Sequence, residues 1–287
     1  MKLHHLLLAG LGIVVPACAS FAQSVQFPHS VSAGSAFSIQ TSGSGKAELY
    51  IVGPAQTLRR EIQLGSPVSF AAGELYGAGH YIAIVSGSSD ATEFDVRPAA
   101  EAGSLGFLAK PSRLPVNIHN GISGAVYVFD TYHNLITVPM PVTLELTGAG
   151  GAKQTRNVTT SNGLAWTTLD SAAKESAARF TATAGGVSSI RIINQVPGDP
   201  CSISITAKPS GNRLEVQTAP VRDCNGNMIP DGTIVTFTES LGNSQSTVDV
   251  PLKQGIASVV MPANAGAKIS AASGVVAGNE IRWEGGR

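Results

Sequence analysis

The sequence predicts an all-β chain of packed sheets, and two observations support this prediction. From residue 24 onward, apolar and polar residues alternate in short runs that end at Gly, Pro, Asn or Ser, and alternation with a period of two is typical of strands that bury one face. Charged residues make up only 13% of the chain, whereas it holds 32 Gly and 16 Pro, a balance that favours short strands and tight turns over helices. The clearest runs are 48–52, 81–85, 142–146 and 203–206, and the one helix-like stretch is the Ala-rich segment 170–178.

The composition also excludes two classes of protein. The 19 Lys and Arg residues balance the 19 Asp and Glu residues, so there is no basic excess that would neutralise nucleic-acid phosphates. Hydrophobic residues reach 43%, whereas disordered chains combine low hydrophobicity with high net charge. We therefore expect a folded protein that does not bind nucleic acid.

The N-terminal segment 1–22 has the pattern of a secretory signal peptide. A weakly positive start precedes an apolar core at residues 6–15, and a run of small residues ends at Ala22. The apolar core is too short to span a bilayer, and nothing later in the sequence resembles a membrane helix. We therefore expect an exported protein. Cys18 keeps lipid anchoring open, because residues 15–18 loosely resemble a lipobox, in which the cysteine is acylated.

The later part of the chain contains an internal repeat. Asp130 and Asn134 align without gaps on Asp223 and Asn227, at an offset of 93 residues. A repeat of this length matches one immunoglobulin-like sandwich, and Pro and Gly interrupt the strands between the units. The sequence thus predicts three tandem immunoglobulin-like β-sandwiches after the signal peptide. Their predicted bounds are 23–98, 103–196 and 199–287, and the aligned segments are 130–144 with 223–237, 163–169 with 255–261, and 178–182 with 267–271.

The repeat resembles a known family. Residues 223–238 run as an Asp, a Gly-Asn turn, a Pro-Asp-Gly turn and a strand that ends in Val-Thr-Phe, which is similar to bacterial Ig-like (Big-1) domains of the invasin/intimin type. The Asn-Gly-x-Ala turn of that family stands at 162–165 and, in altered form, at 254–257, whereas residues 138–140 replace the Pro-Asp-Gly turn. The resemblance covers roughly 103–287. It implies a protein of the periplasm, cell surface or medium with a spacer or adhesive role.

The first unit resembles generic Ig-like modules only. Tyr81 lies in the place of a tyrosine corner, two residues before the usual position of a core cysteine. That position is Ala83, so we expect no core disulfide in this unit.

Cys201 and Cys224 are the two cysteines that follow the predicted signal peptide. In an exported protein such a pair indicates a disulfide. The second unit has Gly103 and Thr131 near the equivalent places, so both cysteines are absent there together. Closing this loop is expected to contribute about 3 kcal/mol to stability. A zinc site is not expected, because no His lies near either cysteine in the sequence.

Oxygen-bearing side chains follow Asp223 at alternate positions and resemble a calcium-binding loop. An EF-hand loop needs Gly at its sixth position and Glu at its twelfth, where Met228 and Ile234 stand instead. Tight turns at Asn-Gly and Asp-Gly explain the same residues. We therefore expect turns, and neither a metal nor a cofactor, at the segment that holds Asp223, Asn225, Asn227 and Asp231.

No arrangement of residues indicates catalysis. The acidic residues are sparse and unpaired in the sequence, and no histidine lies near a serine in a nucleophile-elbow pattern. We therefore predict that the protein is not an enzyme. The histidines after the predicted signal peptide are His29, His80, His119 and His133.

Aromatic residues support a second hypothesis about function. Aromatic planes can stack on sugar rings, although most aromatic residues of sandwiches pack in cores or at edges. Trp166 lies on the same strand face as Leu164 and Thr168, by alternation. The residues that could form such a sugar-stacking face are Tyr50, Tyr76, Tyr127, Tyr132, Trp166 and Trp283.

The sequence as a whole predicts an exported, non-enzymatic Ig-like multidomain protein that acts as a structural or adhesive binding module at the cell surface or in the medium. Rigid sandwiches would present edge strands and loop tips to a protein or glycan partner, with β-strand addition as an available mode. The alternative is a carbohydrate-binding module without catalysis.

Overall fold

The computed structural model describes residues 24–285. The predicted signal peptide at 1–22 and the lipidation candidate Cys18 lie outside the described residues. The chain divides into two compact units, with the boundary between Ala99 and Ala100. Within the described part of the chain, no helix has the length and apolar character needed to cross a membrane.

The first unit is a sandwich of two sheets. Its strands are β1 (Ser24–Gln26), β2 (Ser30–Ser32), β3 (Phe37–Ser42), β4 (Lys46–Val52), β5 (Thr57–Gln63), β6 (Val68–Phe70), β7 (Gly79–Val85) and β8 (Ala91–Arg97). The smaller sheet has the order β1–β3–β6 and the larger one the order β2–β8–β7–β4–β5. All neighbouring strands are antiparallel except β2 and β8, which are parallel. This arrangement is the expected Ig-like sandwich.

Alternate residues of these strands face one core between the two sheets. In β7, Tyr81, Ala83 and Val85 are buried, while the alternate residues His80, Ile82 and Ile84 are exposed. Burying one large apolar side chain contributes about 1.5–3 kcal/mol. A slip of one residue would turn the whole buried set outward, so this burial fixes the register.

Tyr81 forms the predicted tyrosine corner, which is thereby confirmed. Its hydroxyl donates a hydrogen bond to the Gly77 carbonyl over 2.8 Å, and burial raises the pKa of this hydroxyl, so it remains a donor at neutral pH. Gly53 leaves room for the ring, because a Cβ at Gly53 would lie 2.1 Å from Tyr81 Cε1. The corner therefore depends on a glycine as well as on the tyrosine.

The second unit begins with eight strands in the same sheet order as the first unit, and we call them the second sandwich. They are β9 (Ser104–Lys110), β10 (Arg113–Pro115), β11 (Ile122–Phe129), β12 (Pro141–Thr147), β13 (Lys153–Thr159), β14 (Leu164–Leu169), β15 (Ser176–Ala184) and β16 (Val187–Val196). The sheets are β9–β11–β14 and β10–β16–β15–β12–β13. A single 3₁₀ turn, Ala149–Gly151, is the one helical element among the described residues.

The remaining strands form what we call the third sandwich. They are β17 (Pro200–Ser202), β18 (Ile205–Ser210), β19 (Arg213–Thr218), β20 (Arg222–Asp223), β21 (Ile234–Leu241), β22 (Ser244–Pro251), β23 (Ser258–Pro262), β24 (Lys268–Ser273), β25 (Val276–Ala277) and β26 (Ile281–Arg282). The sheets are β18–β19–β23 and β22–β21–β24–β25, with β26 also paired to β24, and β17 pairs with β20. The second and third sandwiches have separate hydrophobic clusters, but both lie in one compact unit. The division into three domains therefore stays a prediction.

The structure corrects the prediction of a helix-like stretch at 170–178. Residues 170–175 form a loop, and Ser176 begins strand β15. Tertiary partners hold the backbone of this loop: the Ala172 N–H donates to the Gln195 side chain, and the Ala172 carbonyl accepts from Asn117 N–H. These bonds replace the ones that a helix would need. A smaller correction concerns 203–206, where strand β18 begins only at Ile205.

A disulfide joins Cys201 of β17 to Cys224, which directly follows β20. The Cα atoms are 4.7 Å apart, and the pairing of β17 with β20 holds them at this distance. Both cysteines are exposed, so the bridge is a clamp on the surface of the third sandwich.

We expect Tyr81→Phe to lower the free energy of unfolding of the first unit by about 1 kcal/mol, because the hydroxyl that satisfies the Gly77 carbonyl is lost. Denaturant unfolding of the full chain measures the change. Tyr127→Phe is the matched control, since among the described residues its hydroxyl has no hydrogen-bond partner. Equal stability of the two variants would contradict the role of the corner.

We expect the double variant Cys201→Ser, Cys224→Ser to lower the stability of the second unit by about 3 kcal/mol, because the bridge closes the loop between two cysteines that are 23 positions apart in the sequence. Scanning calorimetry with and without reductant measures the change. Reductant should destabilise the parent protein and leave the double variant unaffected. An unchanged transition on reduction would show that the bridge contributes nothing.

Candidate binding surface

The outer face of the sheet β9–β11–β14 carries the candidate site. Leu108, Ala125 and Trp166 lie side by side across this sheet, because Ala125 of β11 pairs with Leu108 of β9 and with Trp166 of β14. Two residues further along β11, Tyr127 pairs with Leu164. We call this surface the aromatic face, and it consists of Leu108, Ala125, Tyr127, Phe129, Leu164 and Trp166.

The largest side chains of the aromatic face are open to solvent. The exposed fraction is 67% for Trp166, 53% for Leu108 and 42% for Tyr127. Gly106 has no side chain to project from the sheet beside them, and a Cβ there would lie only 3.2 Å from the Phe129 ring. The result is a flat apolar surface formed by three strands.

The core below holds this surface in place. On β11, Val126 and Val128 alternate with the outward residues and are fully buried. Phe107 of β9 packs its ring edge-on against Phe180, with 5.1 Å between centroids. A rigid sheet loses little conformational entropy when its side chains contact a partner.

The equivalent faces of the other two sandwiches are polar. In the third sandwich, Lys208 and Glu215 pair on the outer face of β18–β19–β23, and Val260 is the large apolar residue of that row. In the first unit, the outer face of β1–β3–β6 presents side chains such as Gln40 and Ser38. Because only one of three equivalent faces is apolar, the fold itself does not require an apolar surface here, and large exposed apolar patches mark interaction sites.

The structure groups only part of the predicted aromatic set. Trp166 and Tyr127 come together on the aromatic face, and Tyr132 lies in the nearby loop that follows β11. Trp283 packs against the core of the third sandwich, where its Nε1 is buried without a hydrogen-bond partner among the described residues. Tyr50 and Tyr76 belong to the first unit. Leu108, which the sequence did not single out, joins the face because of its strand pairing.

The Asp223 loop uses its carboxylate to shape the backbone. Oδ1 accepts from the N–H groups of Asn225 and Asn227 at 2.9 and 2.8 Å, and Oδ2 accepts from Asn227 Nδ2 at 2.9 Å and Gly198 N–H at 3.1 Å. Burial alone would raise the pKa of Asp223, but these hydrogen bonds outweigh it and lower the pKa. Among the described residues, no group of three or more His, Cys, Asp and Glu could hold a metal. Turn formation accounts for these residues.

The second sandwich contains the same loop. Asp130 Oδ1 accepts from the N–H groups of Tyr132 and Asn134 at 2.9 and 2.8 Å, and Asn134 Nδ2 donates to Oδ2 at 2.9 Å. The internal repeat therefore preserves hydrogen-bond geometry as well as residue type.

In the third sandwich the loop also contacts the second sandwich. Asn227 Nδ2 donates to the Ala173 carbonyl at 3.1 Å, and Lys174 Nζ donates to the Asn225 carbonyl at 2.9 Å. Asn227 Oδ1 accepts from the Glu175 N–H at 3.3 Å. These bonds join the two sandwiches within the second unit.

Two of the four described histidines lie beside carboxylates on exposed surfaces. His80 Nδ1 lies 3.0 Å from Asp95 and its Nε2 lies 3.5 Å from Glu93, while His119 Nδ1 lies 2.8 Å from Asp170. The hydrogen bond with Asp95 is the largest cause that raises the pKa of His80. Hydrogen bonding by the Asn120 N–H is the largest cause that lowers the pKa of Asp170. These pairs are surface contacts outside the aromatic face.

His80 should make the stability of the first unit depend on pH. Because its pKa in the folded state is raised above the ordinary 6.5, its stabilising contribution is complete below pH 6.5 and is lost as pH rises through the folded-state pKa. NMR titration of the imidazole measures the shift. Asp95→Asn should return the pKa toward 6.5, and an unchanged titration in that variant would contradict the assignment.

Comparisons with known proteins give the fold its context. No protein-family model matches the chain, and no curated protein matches its sequence. Among solved structures, the Escherichia coli adhesin FdeC is similar with a TM-score of 0.55 at 14% identity, over 88% of this chain and 90% of that chain. InvD of Yersinia pseudotuberculosis has a TM-score of 0.46 at 11% identity, over 88% of this chain and 92% of its own. The chicken CNTN1 FN1–FN3 domains have a TM-score of 0.37 at 11% identity, over 91% of this chain and 96% of theirs. The chain therefore has the Ig-like fold that it shares with FdeC, and this fold fits the resemblance to invasin/intimin-type domains in its sequence.

Proposed function

We propose that this chain is an exported, non-enzymatic binding protein that adheres to a partner through the aromatic face. The observation that carries the proposal is that the sheet β9–β11–β14 exposes Leu108, Tyr127 and Trp166, whereas the equivalent sheets of the other two sandwiches present polar side chains. The signal-peptide pattern at 1–22 and the Cys201–Cys224 disulfide support export, because disulfides persist in oxidising compartments.

The composition of the face suits adhesion. Tryptophan and tyrosine are enriched among the residues that dominate binding energy, and such residues cluster at the centre of an interface. Lys110, Ser123 and Thr168 border the aromatic face at one end of the sheet, and a polar rim around an apolar centre is typical of a protein interface. FdeC, which shares the fold, is itself described as an adhesin, and this agrees with the proposal.

A carbohydrate partner is the second candidate, and the position of Trp166 favours it. The indole lies on a flat sheet. The exposed Tyr127 lies on the neighbouring strand β11, two residues beyond Ala125, which pairs with Trp166. The two rings therefore offer adjacent stacking surfaces. Aromatic side chains present an apolar ring together with a polar group at its edge, as sugar rings do. Neutral glycans would suit this surface, because none of its residues is charged.

We expect Trp166→Ala to weaken binding by about 30-fold, which corresponds to the loss of about 2 kcal/mol from one central anchor residue. The measurement is binding of the labelled, full-length protein to an array of glycans and to an array of purified cell-surface proteins. Ile192→Ala is the matched control, because Ile192 is also exposed in the second sandwich but lies on β16 of the opposite sheet.

The outcome also separates the two candidates. Binding to proteins that Trp166→Ala abolishes supports the adhesive function, and binding to glycans with the same loss supports the carbohydrate-binding function. Binding that is equally weakened by Ile192→Ala, or that survives Trp166→Ala, would show that the aromatic face is not the site. The absence of binding on both arrays would contradict the proposed function.

A further inference from the structure

The third sandwich has a lateral opening between two edge strands. Strand β22 ends the sheet β22–β21–β24–β25, and β23 ends the facing sheet β18–β19–β23. Seven of the eight residues of β22 are exposed. We call the space between β22 and β23 the lateral opening.

Apolar side chains of β22 face this opening from the core side. Val248 pairs with Phe237 and Val250 pairs with Val235, so both valines lie on the face of the sheet that holds the core. Phe237 and Val235 are fully buried, yet Val248 is 37% exposed. A core-facing valine that stays open to solvent indicates that the facing sheet does not cover this end of the sandwich.

Cavities lie at both ends of the lateral opening. One of about 480 Å³ is lined by Val250, Ser258 and the turn that holds Lys253. Another of about 210 Å³ is lined by Ser244, Gln245 and Ser246 of β22 together with Glu239 and Asn264. One cavity thus lies at each end of β22, with the exposed Val248 between them. At about 3.3 Å per residue, the strand is long enough to pair with an extended segment of about eight residues.

The first unit closes the equivalent opening with an arginine. Arg60 of β5 lies on the core-facing side, opposite the buried Leu49. Its Nη1 donates to the Ser69 carbonyl of edge strand β6 at 2.7 Å, and its guanidinium lies 4.9 Å from the Phe70 ring centroid. Arg60 also pairs with Glu74. The side chain thus bridges the two edge strands.

The second sandwich closes its opening with a glutamine. Gln154 of β13 donates through Nε2 to the Asp170 carbonyl at 2.8 Å and accepts from the Asp170 N–H at 3.2 Å. Asp170 directly follows edge strand β14. The repeat places Ser246 at the position of Gln154 and Val248 at the position of Arg156, and neither of these shorter side chains bridges β22 to β23.

Strand β22 also lacks the charges that protect the other two edges. Strand β5 carries Arg60 and β13 carries Arg156 on the core-facing side, whereas the one charged residue of β22, Asp249, lies on the outer face. Inward-pointing charged side chains keep edge strands from pairing with another chain. Residues 244–250 of β22 pair with β21 in continuous register, without a bulge, so the strand offers a regular template for an added strand as far as Pro251, which has no N–H to donate.

The two ends of the lateral opening carry opposite charges. Lys253 lies at the C-terminal end of β22, and no described carboxylate forms an ion pair with it. Glu239 lies at the N-terminal end, where Asn264 Nδ2 donates to its carboxylate at 2.8 Å. A strand that pairs antiparallel to β22 would begin beside Lys253 and end beside Glu239. The complementary segment therefore begins with an acidic residue and ends with a basic one.

We propose that the lateral opening of the third sandwich binds an extended segment of a partner protein by strand addition to β22. The segment pairs antiparallel with β22, places small apolar side chains at every second position over Val248 and Val250, and carries an acidic residue beside Lys253 and a basic residue beside Glu239. This site is separate from the aromatic face, so the two proposals stand independently.

The test uses a blocked eight-residue peptide of alternating valine and threonine that begins with aspartate and ends with lysine. Binding to the full chain is measured by fluorescence anisotropy, and hydrogen exchange of residues 244–251 reports strand pairing. Val248→Arg, which copies Arg156 of the second sandwich, should weaken binding by about tenfold or more. Thr247→Arg on the outer face of the same strand is the matched control and should leave binding nearly unchanged. A peptide with aspartate and lysine exchanged should bind more weakly.

A second variant, Ser246→Gln, keeps the test valid if Val248→Arg fails to fold. It restores the closing side chain of Gln154 at an exposed position and should also weaken binding. Saturable binding with slower exchange in 244–251, lost in both closing variants, supports the proposal. The proposal is overturned by the absence of peptide binding, by equal effects of Val248→Arg and Thr247→Arg, or by a peptide-free dimer that Val248→Arg dissociates, because a second copy would then occupy the opening.

Discussion

The burial of alternate side chains between two sheets is the constraint on which the rest of this structure depends. Because side chains of a strand alternate strictly, fixing one face in the core fixes the register of every neighbour and leaves the other face free. The repeat shows the consequence. Leu144 and Phe237 occupy the same core position and are both fully buried, while the outward faces of the opposite sheets, β9–β11–β14 and β18–β19–β23, differ in kind. Sequence change that would disrupt the core is therefore tolerated on faces and edges, where binding surfaces can develop.

The same constraint explains how much of the fold could be predicted from the sequence. Alternation alone placed β4, β7 and β12 correctly, and Tyr81 marked the corner before β7. The prediction from sequence failed at 170–178, where the alanines suggested a helical turn. There the hydrogen bonds to Gln195 and Asn117, both distant in sequence, decide the backbone. Local propensity is a weak prior that such tertiary contacts override, and no local pattern reveals them.

The candidate site could be predicted only in part, for a related reason. Trp166 and Tyr127 stood in the sequence as two of six scattered aromatic residues. These residues share one face because Ala125 pairs with both Leu108 and Trp166. Leu108 is 17 positions from Ala125 in the sequence, and Trp166 is 41 positions from it. Alternation gives the face of a residue within its own strand but not its partner in the next strand. The register between strands is long-range information, so Leu108 could not be recognised as part of the face.

Divergence within the repeat separates residues that the fold needs from those that it does not. The Asp223 loop keeps the hydrogen bonds of the Asp130 loop and adds bonds to Ala173, Lys174 and Glu175, so a turn-forming element also holds the second and third sandwiches together. At the position of Gln154, by contrast, the third sandwich has Ser246. Loss of a closing side chain exposes an edge strand, a change that selection against aggregation removes unless the edge is used or protected. Strand β22 has neither the closing residue nor the cationic side chains of β13, and its core face is apolar, so Asp249 and Pro251 are the features of the strand that limit its pairing with another chain. Occupation by a partner strand accounts for the missing closing residue, the missing cationic side chains and the apolar core face together.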